Sequence, residues 1–600
     1  MTLHNLSWCC VCLVLIVALG GTNAPGATDS ASAGDVPAIS EPHRRFLSNL
    51  ARRTMRDKLL DRPIYEPGYV PQALVPLETE VVIRLRRGGF LLDAGVGGPL
   101  PVAHATRNAA LAAVTPMIES GEMTLDLLNH VLVEIEVVGP ARPIEIDTDW
   151  TQPRAIDPFI EPGVHGFVFR SGELQRRFCP SEIFTSDIVV ADALRAIAQQ
   201  LKPLQTHIQD VKLMRFRTAH WYEGAGGREI VSLHRGLTVV PPEDVTAKNL
   251  DDAVTRLAEY MIYRQLPSGL FSYQYEPALD RYSPESNWVR QAGAVSAMAY
   301  HASHAGRSAS IAAADMGVRF MLTGLVDIPG ADNAAFIATP DQHNKLGVTA
   351  LVCMALAYHP DASRYADTRE KLISGMLWLQ RPSGMFVTAF PPAEEIRAQE
   401  YFPGEALLAM ALHYDLSPSA EVLDAFDRSI NFYRGFFRNS PGPAFIPWQV
   451  QAYALMARKS RRGDYIDYVF ELTDWLAEKQ LDRSNCAWPE MWGGIAAYQD
   501  NRAGVATAAY LEGFAEALML ARRIGDTRRV ERYEKVVRLA ARFVMQLQVR
   551  PEEAYFIRSP QDAIDGIRTS PSLYLLRIDH CQHALIGLMK AREALFSNTD

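Results

Sequence analysis

From residue 251 to the C-terminus the chain repeats one pattern six times, and few architectures accommodate it. An amphipathic helical stretch is followed by a loop and then by a helical stretch rich in small and apolar residues. The amphipathic members fall at residues 253–265, 308–325, 365–380, 421–437, 464–480 and 527–548. Their apolar partners fall at residues 287–303, 344–358, 400–415, 446–458, 505–523 and 577–595. Self-similarity at a period of roughly 50–70 residues means supersecondary units stacked on their neighbours. A helix with an apolar stripe buries one side, whereas a helix apolar all round must be covered on every side. Six such pairs predict a closed all-α ring, an (α/α)6 toroid with the apolar helices inside. The loops that enter the inner helices then gather around one mouth, and chemistry is expected there.

Two outer stretches end alike, in Gln265-Leu266-Pro267-Ser268-Gly269-Leu270-Phe271 and Gln380-Arg381-Pro382-Ser383-Gly384-Met385-Phe386. Glycine supplies the left-handed turn that ends a helix, and the phenylalanine can fold back onto it. The period together with these Gly-x-Phe turns resembles the six-hairpin glycosidase superfamily across residues 251–600. The resemblance implies the toroid fold. It names no activity, because hydrolases, lyases, epimerases and non-enzymes share that architecture and function lives in the site.

Residues 41–242 read as a separate α+β domain, joined to the ring by a linker at 241–250. Helices are predicted at 42–61, 104–116 and 191–201, and strands at 81–85, 131–138, 166–170 and 212–217. The alternation Val131-Leu132-Val133-Glu134-Ile135-Glu136-Val137-Val138 predicts a half-buried strand. Gly88 to Gly98 reads as a glycine-dense turn region. Residues 43–60, 101–114 and 131–144, the run Ile160-Glu161-Pro162-Gly163-Val164-His165-Gly166-Phe167-Val168-Phe169 and the loop Arg177-Phe178-Cys179-Pro180 resemble the AMMECR-type domain family. The resemblance implies that family's α+β fold. Where the family carries Arg-Gly-Cys-Ile-Gly, this chain reads Leu91-Leu92-Asp93-Ala94-Gly95-Val96, without the arginine or the cysteine. Chemistry tied to that segment is not expected here.

The apolar run at residues 8–19, followed by a Ser/Ala/Gly/Thr-rich stretch containing Ala31-Ser32-Ala33, fits a signal peptide and export linker over residues 1–33. A periplasmic or secreted location is expected, with membrane contact only if that segment stays uncleaved. A net charge of −9 offers no basic footprint for nucleic acid. Of seven cysteines, three lie in the apolar N-terminal run and Cys179, Cys353, Cys486 and Cys581 are scattered. They form no disulfide framework.

Candidate chemistry sits where inner helices begin. In Tyr401-Phe402-Pro403-Gly404-Glu405 the carboxyl falls in the first turn of an otherwise apolar helix. It is placed for acid/base work, or merely favoured by the helix dipole. In Arg577-Ile578-Asp579-His580-Cys581-Gln582-His583, Asp579 and His583 share a helix face, with His580 beside them. An Asp/His pair can tune a proton-transfer group. In Trp288-Val289-Arg290-Gln291 the guanidinium suits an anionic substrate group or a salt bridge to a neighbouring inner helix. Trp448, Trp488, Trp492 and Tyr510 offer apolar ring faces with polar edges, which match sugar rings, and Gln449 and Glu512 stand beside them as polar substrate-binding candidates. Glu490, between two tryptophans, is a further carboxylate, and opposed carboxylates are what glycoside hydrolysis uses.

The leading reading is an exported carbohydrate-active enzyme of glycoside hydrolase, lyase or epimerase type, acting on a glycan or uronic-acid-containing polymer. Glu405 and Asp579 carry proton transfer, with Glu490 held in reserve. No metal or other cofactor is assigned. A second reading draws on a resemblance to lanthionine-synthetase cyclases, which imply zinc on two cysteines and a histidine. Cys486, Cys581 and His580 or His583 would serve, although the family's adjacent Cys-His order is reversed here as His580-Cys581. A third reading is a non-catalytic toroid that docks glycans or proteins.

Overall fold

The computed structural model describes residues 39–145, 159–171, 174–186, 188–201, 212–227, 229–392, 395–497 and 502–597. The expected signal peptide and linker lie outside them. No helix among the described residues is long and apolar enough to cross a membrane.

The N-terminal region opens with α1 (Glu41–Leu59), which has a proline in its first turn and buries Leu47, Leu50, Ala51 and Met55. A hairpin follows, β1 (Glu78–Arg87) and β2 (Phe90–Pro101), then α2 (Val102–Glu119), α3 (Leu125–His130) and β3 (Leu132–Val138). The short β4 (Arg142–Pro143), β5 (Gly166–Ser171), β6 (Leu174–Phe178), α4 (Pro180–Thr185), α5 (Val190–Leu201), β7 (Lys212–Phe216), β8 (Thr218–Glu223) and β9 (Ile230–Leu233) complete it. The strands form two antiparallel sheets, ordered β2-β1-β3-β8-β9 and β4-β7-β5-β6.

Two expectations need correction. The stretch from Gly88 to Gly98 is mostly strand: only Gly88 and Gly89 turn, with φ of 55° and 80°. The later glycines let α2 lie against β2. A Cβ on Gly95 would sit 2.2 Å from Ala109 O, and one on Gly97 2.0 Å from Ala105 O. Strand β3 is covered on both faces. Its glutamates are inside because β1 supplies cations: Arg84 donates to Glu136 at 2.6 Å and Arg86 to Glu134 at 2.6 Å. His220 lies 2.9 Å from Glu134. A buried charge needs such partners.

From Ala247 the described residues form twelve helices in six antiparallel pairs. They are α6 (Ala247–Tyr263) with α7 (Trp288–Ala305), α8 (Ser308–Met321) with α9 (Leu346–Tyr358), and α10 (Ala366–Trp378) with α11 (Phe402–Leu416). Then come α12 (Ala420–Asn439) with α13 (Ile446–Ser460), α14 (Gly463–Ala477) with α15 (Ala506–Ile524), and α16 (Thr527–Leu547) with α17 (Ile578–Phe596). The second helix of each pair packs on the second helix of the next, and α17 packs back on α7, closing the ring. Inner helices such as α9 are buried along nearly their whole length. The fourth loop, residues 440–445, is short.

A glutamine clasp joins successive hairpins. Gln265 donates to Ala313 O at 2.9 Å, Gln380 to Ala425 O at 2.9 Å, Gln480 to Val536 O at 3.0 Å and Gln548 to Ala253 O at 3.2 Å. Each side chain leaves the end of one outer helix and satisfies a carbonyl on the next, and Gln548 does so across the junction of last and first hairpins. The glycine after the first two clasps has φ of 96° (Gly269) and 90° (Gly384), a conformation that favours glycine.

The N-terminal region sits on loops of hairpins five and six. Thr238 N donates to Glu553 at 3.0 Å, Val240 N to Gln546 at 2.8 Å and Tyr222 OH to Glu552 O at 3.0 Å.

Candidate active site

The inner-helix starts enclose a cavity of about 400 Å³, within the range typical of small-ligand sites. Arg290 on α7, Glu405 on α11, Trp448 on α13, Tyr510 on α15, and Asp579, His580 and His583 on α17 all line it, as does Tyr401 just before α11. Lys345 and Phe402 line it too and were not among the expected residues.

Glu405 is 4% exposed, and its Oε2 has no hydrogen-bond partner among the described residues. Gly347 makes the space for it, since a Cβ there would lie 2.3 Å from Glu405 Oε2, while Gly404 makes room for Trp448, whose Cβ would be 2.6 Å from a Cβ at that position. The helix dipole favours an ionised carboxylate at this position, but burial wins. Loss of water pushes the Glu405 carboxyl up to about 8, with only partial relief from His583. At neutral pH the group is an acid that still holds its proton.

His583 Nδ1 lies 2.7 Å from Glu512 Oε1, and Trp448 meets the ring edge-on at 5.6 Å. Burial disfavours the imidazolium, but the Glu512 hydrogen bond and charge, with Asp579 and Glu405 nearby, raise its pKa overall. His580 behaves oppositely: burial, only partly offset by Asp579, lowers it to about 4.

Asp579 is engaged on both oxygens. Arg577 approaches in two-pronged fashion at 2.6 and 2.9 Å, and Arg290 adds an ion pair at 3.2 Å. Burial alone would raise its pKa; the His580 ring and the two guanidiniums reverse this, so it stays ionised. Its carboxylate has no proton to give near neutrality, so it does not serve as an acid, and with guanidinium partners on both oxygens it is held as a counter-ion. Arg290 is correspondingly the salt bridge between inner helices, and it also bonds Tyr273 OH.

Glu490 lies elsewhere. It is fully buried where the N-terminal region meets the ring, 2.8 Å from Arg235 and 2.8 Å from His234, which hold it ionised against the effect of burial. Trp488 belongs to the same junction, with His165 edge-on at 6.2 Å and Arg217 over its face at 5.2 Å. Trp492 donates to Cys486 O at 2.8 Å. Gln291 is consumed structurally: its amide donates to Phe271 O at 2.8 Å and accepts from Phe271 N at 2.9 Å. Trp288 stacks on Phe320 at 6.2 Å in a neighbouring pocket. Gln449 is buried and does not line the cavity. The cysteines of the zinc alternative do not gather, and among the described residues no three His, Cys, Asp or Glu side chains converge as a metal site.

Below His583 a polar chain runs through the ring. Glu512 accepts from Gln451 at 3.1 Å, Gln451 accepts from Lys590 at 2.6 Å, and Lys590 donates to Glu516 at 2.8 Å. Arg458 donates to Glu516 at 2.6 Å. Gln451, Glu516 and Lys590 were missed in the sequence. Their signal was polarity within helices that are otherwise small and apolar.

No family model matches the chain, and no curated protein matches it. Solved structures do. A family 76 glycoside hydrolase from a bovine Bacteroides thetaiotaomicron strain aligns with 78% of this chain and 96% of its own, at 10% identity and a TM-score of 0.43. An unsaturated glucuronyl hydrolase specific for heparin aligns with 58% of this chain and 96% of its own, at 11% identity and a TM-score of 0.41. An uncharacterized protein from Pyrococcus horikoshii aligns with 32% of this chain and 98% of its own, at 19% identity and a TM-score of 0.26. The chemistry of this chain is read from its own residues.

Proposed function

We propose that this protein is a carbohydrate-active enzyme that acts on a glycan or uronic-acid-containing polymer by proton transfer in the mouth of the ring. The observation that carries the reading is Glu405: a buried carboxyl whose Oε2 has no partner among the described residues, in a cavity walled by Trp448, Tyr401, Phe402 and Tyr510. Aromatic walls suit the apolar faces of sugar rings. A carboxyl poised near 8 is matched to general acid catalysis at neutral pH.

His583 is the second proton-handling group, oriented by Glu512 through Nδ1. Asp579, pinned by Arg577 and Arg290, holds the positive wall of the cavity in place. With Glu490 remote, the carboxyl of Glu405 and the imidazole of His583 are the proton-handling groups of the cavity. Hydrolysis, elimination and epimerisation of a sugar all include proton transfers that such a pair can serve. The N-terminal region fits an AMMECR-type domain without its signature segment, and residues 1–33 fit an export signal; both belong to this proposal.

The test is a screen of neutral and acidic glycans with mass-spectrometric detection of products, run beside Glu405→Gln. Turnover in the parent protein and none in a folded Glu405→Gln supports the assignment. Undiminished turnover in that variant overturns it.

A further inference from the structure

The end of the ring opposite the mouth, where the inner helices finish, holds a larger bowl of about 1010 Å³. It shares no lining residue with the mouth cavity. Its wall is divided in character. Leu408, Leu412, Leu455 and Met519 present an apolar side, while Lys590 and Arg458 present a cationic one. Tyr300 also lines the bowl, with its ring 6.0 Å from Lys590 Nζ.

Five cations, Arg458, Lys459, Arg522, Arg523 and Lys590, line the bowl beside three carboxylates, Asp415, Glu516 and Glu593. Lys590 is 4% exposed, and both it and Arg458 are paired to the single carboxylate of Glu516. The outer pairs are matched one to one, Lys459 with Asp415 and Arg522 with Glu534. With those pairs set aside, Arg458, Arg523 and Lys590 stand against Glu516 and Glu593, and the excess of one cation favours an anion in the bowl. The simpler account is that basic residues complement helix C-termini. That accounts for Arg458, Lys459, Arg522 and Arg523 in their last turns. It does not account for Lys590, which is buried before the final turn of α17, nor for the apolar wall beside it.

We propose that this bowl binds a small amphiphilic monoanion, with its carboxylate or phosphate head on Lys590 and Arg458 and its apolar body against Leu408, Leu412, Leu455 and Met519. A charge-assisted head contact supplies the orientation, and burial of the chain supplies the affinity. The proposal stands apart from the reaction at the mouth, because binding is read without turnover.

Isothermal titration calorimetry of the full chain tests it, with decanoate and decyl phosphate as probes and decanol and decyltrimethylammonium as controls. Saturable one-to-one binding of either anion, at least about tenfold tighter than both controls, is expected. Lys590→Met and Arg458→Gln should each weaken it by about tenfold or more. Should Lys590→Met fail to fold, Arg458→Gln carries the test, because Lys590 continues to pair with Glu516 in that variant. The arm that binds tighter distinguishes a carboxylate from a phosphate head. Equal binding of the controls, binding unmoved by the variants, or no saturation below about 1 mM overturns the proposal.

Discussion

Replacing Glu405 by glutamine is expected to make the folded protein more stable while removing its activity, and the size of the gain follows from the site. The carboxyl is raised from an ordinary value of 4.5 to about 8 by burial. Between those two values the folded chain keeps a proton that the unfolded chain has released. Stability therefore falls as pH rises, by about 1.4 kcal/mol per pH unit. The contribution is fully present below pH 4.5 and is lost as pH climbs through 8. At pH 7 the accumulated penalty is ~3 kcal/mol, and above pH 8 it levels near ~5 kcal/mol. Glutamine has the same shape and no titration, so the space left by Gly347 still accommodates it. Urea unfolding of both proteins, followed by tryptophan fluorescence from pH 4.5 to 8.5, provides the comparison. The two curves should coincide near pH 4.5 and separate by ~3 kcal/mol at pH 7. Parallel pH dependences, or a less stable Glu405→Gln at pH 8, would refute the argument that this carboxyl is buried and protonated.

Other perturbations reach different parts of the molecule. Glu490→Gln leaves the fully buried Arg235 with Glu161 as its remaining carboxylate and should destabilise by about 3 kcal/mol in equilibrium unfolding; an unchanged midpoint would contradict the placement. Gly384→Ala forces a side chain onto a φ of 90° and sets a Cβ 2.2 Å from Arg428 O. A loss of more than about 1 kcal/mol is expected, read by thermal unfolding. Glu512→Gln removes the carboxylate at Nδ1 of His583, so the imidazole pKa should drop and the ring should turn neutral at a lower pH. An NMR titration of His583 checks this, and an unmoved titration counts against the dyad.

The ring was legible because its constraint is periodic: helices apolar all round, repeated six times, have nowhere to go but inside a closed stack. The clasp was half legible. Gln265 pairs with Phe271 and Gln380 with Phe386 across short turns that look alike in sequence. Gln480 and Gln548 make the same bridge to Ile495 and Ile567, but longer loops erase the spacing. Glu405 stood out as a carboxyl on an apolar helix, and the helix start did bring it to the cavity. Asp579 looked equally promising, yet its neighbours His580 and Arg577, joined by Arg290 from the first hairpin, hold it ionised. Glu490 seemed to belong to an aromatic funnel until Arg235, 255 residues earlier, claimed it. Pairing across long separations is what a single sequence read locally does not contain. Strand β2 was hidden for a different reason: its glycines serve a helix that lies on the sheet, which local propensity reads as turn.

The glutamine of the last hairpin has a mechanical consequence. Where the last hairpin meets the first, α17 packs on both α6 and α7, and Gln548, the pairing of β10 (Gln274–Glu276) with β11 (Leu573–Arg577), and the ion pair of Arg264 with Asp562 tie the two ends of the ring together. The Arg290–Asp579 pair at the mouth also spans this seam. The N-terminal region runs directly into α6 on one side and is fastened to Gln546, Glu553 and Glu490 on the other. It works as a strap across the seam where the ring closes. Parting the last hairpin from the first would strain these contacts as well as the helix packing, so the closure is reinforced from outside the ring. The N-terminal region thus adds a mechanical tie to the ring that asks for no chemistry.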